Sequence, residues 1–342
     1  MPSDAKPKTD AAPALEALPA NAYIRGLIVT VIAFGLGFLF LWLTADQKLP
    51  QGSLFEANPI NSLYITVFLA YIINWIAFVP AAIKQTEKFF DLTGSITYFS
   101  CTIISLLIGA RTADSTFSFS TRAIIQSLFT LVWAARLGSF LFKRISKDSK
   151  DKRFDQIKIN PPRFFGVWTI QGAWVTLTAI SVFVVNSYGA TDDKPINAVD
   201  ILGYLIWVIG FGIEVTADNQ KSKFAANPDN KGKWIDEGLW YYSRHPNYFG
   251  EMSLWLGQFI AAASTLQGSQ WACVISPIFV VFLLMKISGV PMLESRGNEK
   301  WGSDPNYRLY MENTHVILIL PKGKKTLENI ESPLVPQQTS QV

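Results

Sequence analysis

Polar residues cluster at the start of a long apolar segment, in the stretch SRHPNYFGE at 243–251. Four of them have the i, i+3, i+4 and i+7 spacing that places side chains on one face of a helix. A helix start presents unpaired N–H groups and a partial positive charge, and an arginine adds a full charge, so the pattern predicts a phosphate-binding site. The alternative is a buried ion pair between Arg244 and Glu251 that braces two helices. The four residues are Arg244, Asn247, Tyr248 and Glu251.

Acidic residues also occur near the end of the preceding apolar segment, in GFGIEVTADNQKSKF at 210–224. Glu214, Asp218 and Lys221 are spaced by four and three residues, so they share one helix face. A carboxylate in a membrane helix is costly unless it faces a polar cavity. The face is therefore expected to line a wet pocket, and an interfacial pair of Asp218 with Lys221 is the alternative.

A third polar group, ESRGNEKWGSDPNYRLYMENT at 294–314, follows the last apolar segment. It predicts an amphipathic cytosolic helix that folds back under a helical bundle. Three polar groups on one side of a bundle can close over a ligand with an anionic end and a long polar body. A dinucleotide phosphate meets that description, and so does S-adenosylmethionine apart from the anion. No Gly-x-Gly-x-x-Gly follows a strand, so a Rossmann domain is not the means of binding.

The composition is that of a multi-span membrane protein. The chain is 49% hydrophobic and 16% charged, whereas soluble domains carry about 25% charged residues. Two histidines exclude a multi-histidine metal site, and two cysteines in apolar runs argue against a disulfide framework. A net charge of +4 is too small to indicate nucleic-acid binding. The expected partners are the bilayer and a lipophilic small molecule, with no metal and no nucleic acid.

Eight apolar segments have the length of about 20 residues that a bilayer demands. They predict an all-α fold, a polytopic membrane helical bundle of about eight transmembrane helices with a cytosol-facing cofactor pocket. Residues 1–20 and 322–342 are predicted to be disordered tails, which flank a membrane bundle at 21–321. The eight segments are about 23–44, 60–83, 92–110, 122–142, 164–186, 199–217, 246–264 and 271–290.

Basic residues in the short loops predict the orientation of the bundle. The loop at 143–163 carries eight Lys and Arg residues against three acidic ones, and the loop at 218–245 is also rich in lysine. Both loops are therefore expected in the cytosol, and eight spans then place both termini on the same side.

Three stretches, DNQKSKF, GLWYYSRHPNYFGE and ESRGNEKWGSDPNYRLYMENT, resemble in this order the C-terminal half of the steroid 5-alpha-reductase and sterol-reductase superfamily. The chain looks most similar to an uncharacterised branch of membrane oxidoreductase-like proteins. EKFFDLTGSITYFS at 87–100 and WAARLGSFLFKRI at 133–145 are also similar to that branch. The likeness covers roughly residues 60–321, with a reductase-like region at 88–321 and a cofactor half at about 200–321.

The resemblance implies that NADPH is held by residues of these segments. Two positions depart from the reductase pattern, since Ala225 stands where those enzymes tend to have Arg, and Trp301 where they tend to have Tyr. The first change removes a phosphate contact that Lys223 or Arg296 could replace, so the preference for NADPH over NADH stays open. The residues given this role are Glu214, Asp218, Lys221, Trp240, Arg244, Asn247, Tyr248, Glu251, Glu294 and Trp301.

The implied activity is hydride transfer from NADPH to an electron-poor C=C bond of a steroid, sterol or enoyl lipid, with a side-chain acid supplying the proton. A tyrosine paired with a carboxylate is the natural donor in an apolar pocket. Asp91 and Tyr98 are seven residues apart on one predicted helix face and are the candidate catalytic residues. Sterol chemistry of this kind places the protein in the endoplasmic reticulum membrane.

Two other functions fit the same residues. Arg244, His245 and Tyr248 also match the Arg-His-Pro-x-Tyr element of membrane methyltransferases, which use S-adenosylmethionine on prenylcysteine or phospholipid. Carboxylates suit the amino and sulfonium groups of that cofactor, whereas the lysines of the loop at 218–245 favour the phosphates of NADPH. A non-catalytic lipid-binding membrane protein with a degenerate cofactor pocket is the second alternative.

Overall fold

The computed structural model describes residues 20–45, 59–112, 114, 116–148, 151, 154–189 and 194–326. Regular structure in these ranges is helical, with two isolated β-bridges and no strand. Of the two predicted tails, residues 1–19 and 327–342 lie outside the described residues. Residues 322–326 are held against the preceding helix by hydrogen bonds between Asn313 and Lys325.

Eleven α-helices follow one another in the described chain. They are α1 (Ala20–Thr44), α2 (Pro59–Lys84), α3 (Phe90–Gly109), α4 (Thr121–Asp148), α5 (Pro161–Ser187), α6 (Ala198–Ala226), α7 (Leu239–Tyr242), α8 (Pro246–Ala263), α9 (Ile275–Phe282), α10 (Val290–Trp301) and α11 (Pro305–Asn313). A 3₁₀ turn precedes α9 at Gly268–Val274, and a π-helical turn follows it at Leu283–Ile287.

Seven helical segments of the described chain are long and apolar enough to cross a membrane, which confirms a polytopic membrane helical bundle. Six of them correspond to the first six predicted spans, and the seventh contains the predicted span at 271–290. The predicted span at 246–264 forms α8, an 18-residue helix that is not among the seven. The segments are Ile24–Thr44, Ser62–Lys84, Phe90–Gly109, Thr121–Lys143, Pro161–Ser187, Ala198–Ala226 and Gly268–Trp301.

α8 nevertheless runs antiparallel to α6 along most of its length, and glycines on both helices make this contact close. A Cβ added to Gly203, near the start of α6, would lie 2.5 Å from the backbone N of Ala261, near the end of α8. Toward the other end, a Cβ on Gly250 would lie 2.6 Å from the backbone N of Glu214. Small residues therefore set the spacing of the two helices. α8 lies inside the bundle at the depth of α6.

α5 is the central helix of the bundle, and 83% of its most apolar window is buried. It begins with Pro161 and Pro162, which tolerate the first turn because the N–H they lack would have no partner there. The side chain of Asn160 caps this turn by accepting a hydrogen bond from Arg163 N at 3.1 Å. A helix buried on nearly all sides gives α1, α2, α3 and α9 a common packing surface.

α4 carries two arginines that bind α6, one toward each end of the bundle. Arg122 and Asp200 are fully buried and form two bonds, Nε to Oδ1 at 2.7 Å and Nη2 to Oδ2 at 2.9 Å. The hydroxyl of Ser264, just after α8, donates to Asp200 Oδ1 at 2.7 Å. This cluster ties the starts of α4 and α6 to the end of α8. The second arginine, Arg136, lies about four turns further along α4.

The chain after α11 folds back over the start of α8. The backbone N of Arg244 donates to His315 O at 2.8 Å, and the hydroxyl of Ser243 donates to Ile317 O at 2.8 Å. These bonds fix the residues that precede Pro246, the first residue of α8.

Candidate functional site

Arg136 on α4 joins two carboxylates of α6. Its Nη1 lies 2.6 Å from Glu214 Oε1, and its Nη2 lies 2.5 Å from Asp218 Oδ2. Both carboxylates are buried, and the arginine side chain is 17% exposed. Glu214 and Asp218 thus share one helix face, as the spacing of four residues predicts. Asp218 pairs with an arginine of another helix rather than forming only an interfacial pair with Lys221.

Two further side chains donate hydrogen bonds to these carboxylates. Trp133 Nε1 on α4 donates to Glu214 Oε2 at 3.2 Å, and Asn247 Nδ2 on α8 donates to Asp218 Oδ1 at 3.2 Å. Buried carboxylates are stable when they are paired and hydrogen-bonded in this way. The contacts bring α4, α6 and α8 together at one polar cluster.

Glu251 lies one turn deeper than Asn247 on α8 and is 9% exposed. It interacts electrostatically with Glu214, Asp218 and Arg136, but it accepts no hydrogen bond from the described residues. Three carboxylates therefore surround one guanidinium. Glu251 is the member of this group whose hydrogen-bonding capacity is still unused by the described chain.

Tyr98 of α3 lies beside this cluster, within an aromatic group. Its ring centroid is 5.0 Å from that of Trp133 in an edge-on arrangement and 5.9 Å from that of Trp255 in a stacked one. The Tyr98 hydroxyl is buried, and the side chains of Thr178 and Trp174 interact with it. Glu251 is a carboxylate whose charge acts on Tyr98. The phenol therefore lies where the charge of Glu251 is felt.

The predicted catalytic residues, Asp91 and Tyr98, both lie on α3. Asp91 is in the first turn, and Tyr98 lies about two turns, or about 10 Å, further along the helix. The carboxylate whose charge acts on Tyr98 is Glu251 of α8. The catalytic role of Asp91 and Tyr98 stays a prediction.

A second polar cluster lies at the end of the bundle, where α8 begins. Arg244 Nε is 3.0 Å from Glu294 Oε1, and Arg244 Nη1 donates to Met311 O at 2.6 Å. His245 Nε2 is 3.3 Å from the same Glu294 oxygen, and the ring of Tyr248 stacks on the imidazole with centroids 5.5 Å apart. α10 and α11 therefore close over the start of α8.

The surroundings of His245 favour its neutral form. Burial lowers the pKa of His245, the Glu294 carboxylate opposes that shift, and the charges of Lys221 and Arg244 add to it. The neutral ring then has one donor nitrogen and one acceptor nitrogen. Nε2 faces Glu294, whereas the buried Nδ1 has no hydrogen-bond partner within the described residues.

Arg244 does not share a helix face with Asn247, Tyr248 and Glu251, because α8 begins only at Pro246. Proline disfavours the helical conformation of the residue before it, which here is His245. The backbone N of Arg244 donates a hydrogen bond to His315 O. Arg244 consequently faces Glu294 of α10, whereas Asn247 faces α6. The alternative ion pair between Arg244 and Glu251 is not formed.

Three other predicted residues lie around this end of the bundle. Lys221 Nζ is 4.5 Å above the ring of Trp240, whose Nε1 donates to Ala217 O at 2.9 Å. Trp301 Nε1 donates to Gly232 O, so Trp301 attaches the loop after α6 to α10. The structure therefore brings Lys221 and Trp240 together, the charge of Lys221 acts on His245, and Trp301 makes a separate contact with the loop after α6.

Arg136 and Trp133 are site residues to which the sequence reasoning gives no role, and it uses His245 only within the methyltransferase alternative. The sequence does contain a signal for Arg136, because a charged residue inside an apolar span is costly and therefore has a role. Trp133 had none, because tryptophan in a membrane helix is ordinary packing. Among the described residues, no group of three or more His, Cys, Asp and Glu side chains is placed to hold a metal ion.

The fold and the buried charges define a polytopic membrane protein with a polar interior site. The family described as a protein of unknown function, DUF1295, matches residues 77–314. This match covers more than half of the chain, so the protein belongs to the DUF1295 family.

A distant relative of this chain is described as an uncharacterised protein. A protein of Schizosaccharomyces pombe is 22% identical over 223 residues, which cover 56% of this chain and 62% of the relative. The chain thus spans less than two thirds of the length of that relative. No solved structure matches the chain.

Proposed function

We propose that the protein is a membrane-embedded reductase that uses NADPH to reduce a C=C bond of a lipophilic steroid, sterol or enoyl lipid. The resemblance of its C-terminal half to the steroid 5-alpha-reductase superfamily supports this activity. It also supports a location in the endoplasmic reticulum, and the basic loops of an eight-span bundle support both termini in the cytosol. The single observation that carries the proposal is the buried phenol of Tyr98, on which the charge of Glu251 acts, among apolar helices.

The residues present fit a dinucleotide in kind. Arg244 uses Nε and Nη1 for protein contacts, and within the described residues its Nη2 makes no hydrogen bond, which leaves a donor for a phosphate beside the start of α8. Further toward the interior lie the amide of Asn247 and the carboxyl groups of Glu214 and Glu251. A cation near the start of α8 suits the phosphates of a dinucleotide, and the hydrogen-bonding groups deeper in the bundle suit its ribose and carboxamide.

The cofactor supplies a hydride when bound, and the chain supplies the proton. Tyr98 Oη would hydrogen-bond the substrate carbonyl and pass its proton to the substrate as the hydride reaches the C=C bond. Glu251, in its protonated form, can return a proton to the tyrosine, because its carboxyl group has no other described hydrogen bond. The surrounding rings of Trp133 and Trp255 exclude water from the reaction.

The first experiment measures NADPH oxidation by the purified protein in nanodiscs with a panel of lipophilic enones. Tyr98→Phe should lower kcat about 100-fold or more, because it removes the proton donor. Tyr71→Phe is the matched control, since Tyr71 is a buried tyrosine of α2 whose hydroxyl only donates to Ala33 O. NADPH binding without turnover on any enone would instead favour a non-catalytic lipid-binding protein, and full activity of Tyr98→Phe would reject the proton donor.

A second candidate function is methyl transfer from S-adenosylmethionine to a membrane lipid or prenylated cysteine. The observation in its favour is the excess of carboxylates over cations around Arg136, which suits the amino and sulfonium groups of that cofactor. Equilibrium binding of both cofactors to the purified protein separates the candidates. Tight binding of S-adenosylmethionine together with no binding of NADPH would replace the reductase assignment.

A further inference from the structure

An exposed apolar patch lies outside the membrane-crossing segments, where the chain after α11 runs beside α7. It consists of Tyr241 and Tyr242 of α7 together with Leu318 and Leu320 of the returning chain. Tyr242 is 41% exposed and Leu318 is 52% exposed, and the other two residues lie between these values. Apolar side chains gathered at one surface mark contact with a partner or a membrane.

Backbone and ring contacts make these four residues one continuous surface. The hydroxyl of Ser243 donates to Ile317 O at 2.8 Å, which joins the residue after Tyr242 to the residue before Leu318. The rings of the two tyrosines lie edge-on with centroids 5.0 Å apart. Lys322 Nζ lies 3.9 Å from the ring centroid of Tyr241, so the chain beyond Leu320 also stays beside α7.

The level of the patch along α6 places it at the boundary of the bilayer. α6 exposes aliphatic side chains from Val199 to Ile209. A hydrocarbon core of about 30 Å corresponds to about 20 residues of helix, and counted from the start of α6 it ends at about residue 217. α7 is attached at this level, because Trp240 Nε1 donates to Ala217 O at 2.9 Å. The patch therefore lies among the lipid headgroups, where tyrosine is enriched in membrane proteins.

The lysines that follow the patch specify the charge of the headgroup. Lys325 pairs with Glu312 at 2.6 Å, whereas Lys322 and Lys324 form no salt bridge with a described residue. Apolar side chains beside free lysines are typical of surfaces that bind anionic lipids. An acidic protein partner would require the patch to stand clear of the bilayer, and its level along α6 argues against that.

We propose that Leu318 and Leu320 insert among the headgroups of the surrounding bilayer, and that Lys322 and Lys324 bind the phosphate of an anionic phospholipid there. The basic loops predict that this end of the bundle faces the cytosol, whose leaflet carries the anionic lipids. The backbone N of Arg244 donates to His315 O in the same returning chain. A bound lipid consequently holds this chain against the start of α8. The inference does not depend on the reductase function.

The first experiment measures the depth of the patch in the full-length protein in nanodiscs. Leu318→Cys carries an environment-sensitive fluorophore, and Cys101 and Cys273 are buried and shielded from the label. Ser303→Cys is the control, because this exposed residue follows Trp301, which is bonded to the loop beyond the end of α6. Lipids spin-labelled near the headgroup should quench the probe at 318 and leave the probe at 303 unquenched. Equal, water-like emission from both probes would reject insertion.

The second experiment tests the preference for an anionic headgroup with the same probe at 318. Spin-labelled phosphatidylserine and phosphatidylcholine with identical acyl chains are compared as minor components of neutral nanodiscs. Phosphatidylserine should quench about fivefold more strongly, because it is enriched beside the lysines. Lys322→Gln with Lys324→Gln should bring the ratio close to one.

Lys231→Gln with Lys233→Gln is the matched control, since it removes the same charge from exposed positions beyond the end of α6. This variant should keep the preference for phosphatidylserine. Equal quenching by the two lipids in the wild type, or an equal loss in both double variants, would reject the anionic-lipid site. Neither measurement uses NADPH or turnover, so failure here leaves the reductase proposal standing.

Discussion

At the scale of single residues, the buried carboxylates of α6 depend on one guanidinium. Arg136 contacts Glu214 and Asp218 at hydrogen-bond distance, and both carboxylates are shielded from water. Loss of one partner from such a pair costs about 3–5 kcal/mol, because the other charge stays buried and uncompensated. The arginine therefore positions the two carboxylates and sets the charge that Glu251 meets.

Arg136→Met should lower the free energy of unfolding by about 3 kcal/mol or more, measured as a reduced thermal midpoint in detergent. The triple variant Arg136→Met, Glu214→Gln, Asp218→Asn should recover much of that loss, because it removes the uncompensated charges. Arg308→Met, at an exposed arginine of α11, serves as the control. An unchanged midpoint for Arg136→Met would show that the buried pairs do not stabilise the bundle.

His245 predicts the pH dependence of stability. Because burial lowers the pKa of His245, the unfolded chain takes up a proton at a higher pH than the folded chain, near the ordinary value of about 6.5. The free energy of unfolding should therefore fall as the pH drops below about 6.5, until the folded-state pKa is passed. Thermal midpoints between pH 5 and pH 8 measure this slope, and His245→Gln should reduce it.

His315 provides the matched control for that measurement. It is the other histidine of the chain, it is exposed, and its ring Nε2 lies 3.2 Å from Pro321 O. His315→Gln should keep the wild-type slope. If His245→Gln keeps the same slope as well, the pH dependence has another origin.

Sequence reasoning identified residues better than it identified partners. The spacing of Glu214 and Asp218 fixes a shared helix face, because helix geometry is local. Their partner Arg136 lies on another helix, and nothing in the order of residues tells which helices touch. For the same reason the sequence favoured Asp91, seven residues away, as the neighbour of Tyr98, whereas the structure supplies Glu251 from a helix about 150 residues later.

At the scale of elements, the close contact between α6 and α8 depends on glycines, which have no side chain. A Cβ on Gly257 of α8 would lie 2.6 Å from Gly203 O and 2.7 Å from Trp207 N, which are both backbone atoms of α6. Backbone cannot move aside as a flexible side chain can, so the helices themselves would have to separate. Glu214 and Asn247 lie on these same two helices, and separation would disturb the polar cluster.

Gly257→Ala should destabilise the protein by about 1–3 kcal/mol through overpacking. Gly212→Ala, on the same helix pair but with nothing within 4 Å of the added Cβ, should be neutral or stabilising by up to about 1 kcal/mol. Thermal midpoints of the two variants in detergent provide the comparison. Equal midpoints would mean that α6 and α8 are not held at the observed spacing.

The helices themselves were largely predictable. Seven of the eight predicted spans lie in helical segments of the described chain that are long and apolar enough to cross a membrane. α8 was also predicted as a helix, but its polar residues Asn247, Glu251 and Gln258 face neighbouring helices rather than lipid. The predicted start of this span at Pro246 agrees with α8, but Arg244, which the i, i+3, i+4 pattern placed on the same face, lies two residues before the helix.

At the scale of the whole molecule, the composition predicts the class of protein but not the arrangement of its helices. Apolar content and loop charges predict a polytopic bundle, since the bilayer constrains every span in the same way. The central place of α5, the return of the chain after α11 and the pairing of α6 with α8 depend on contacts between distant segments. Among these, only the glycines of α6 and α8 left a trace in the sequence, and single glycines are too common in membrane helices to be decisive.

The two arginines of α4 have a mechanical consequence. Arg122 and Arg136 connect α4 to α6 at two levels about four helical turns apart, and Ser264 and Asn247 extend both connections to α8. Sliding of any one of these three helices past the others would break buried charge pairs at two levels at once. These three helices therefore resist sliding past one another, and under the proposed function a lipid substrate would reach Tyr98 between other helices.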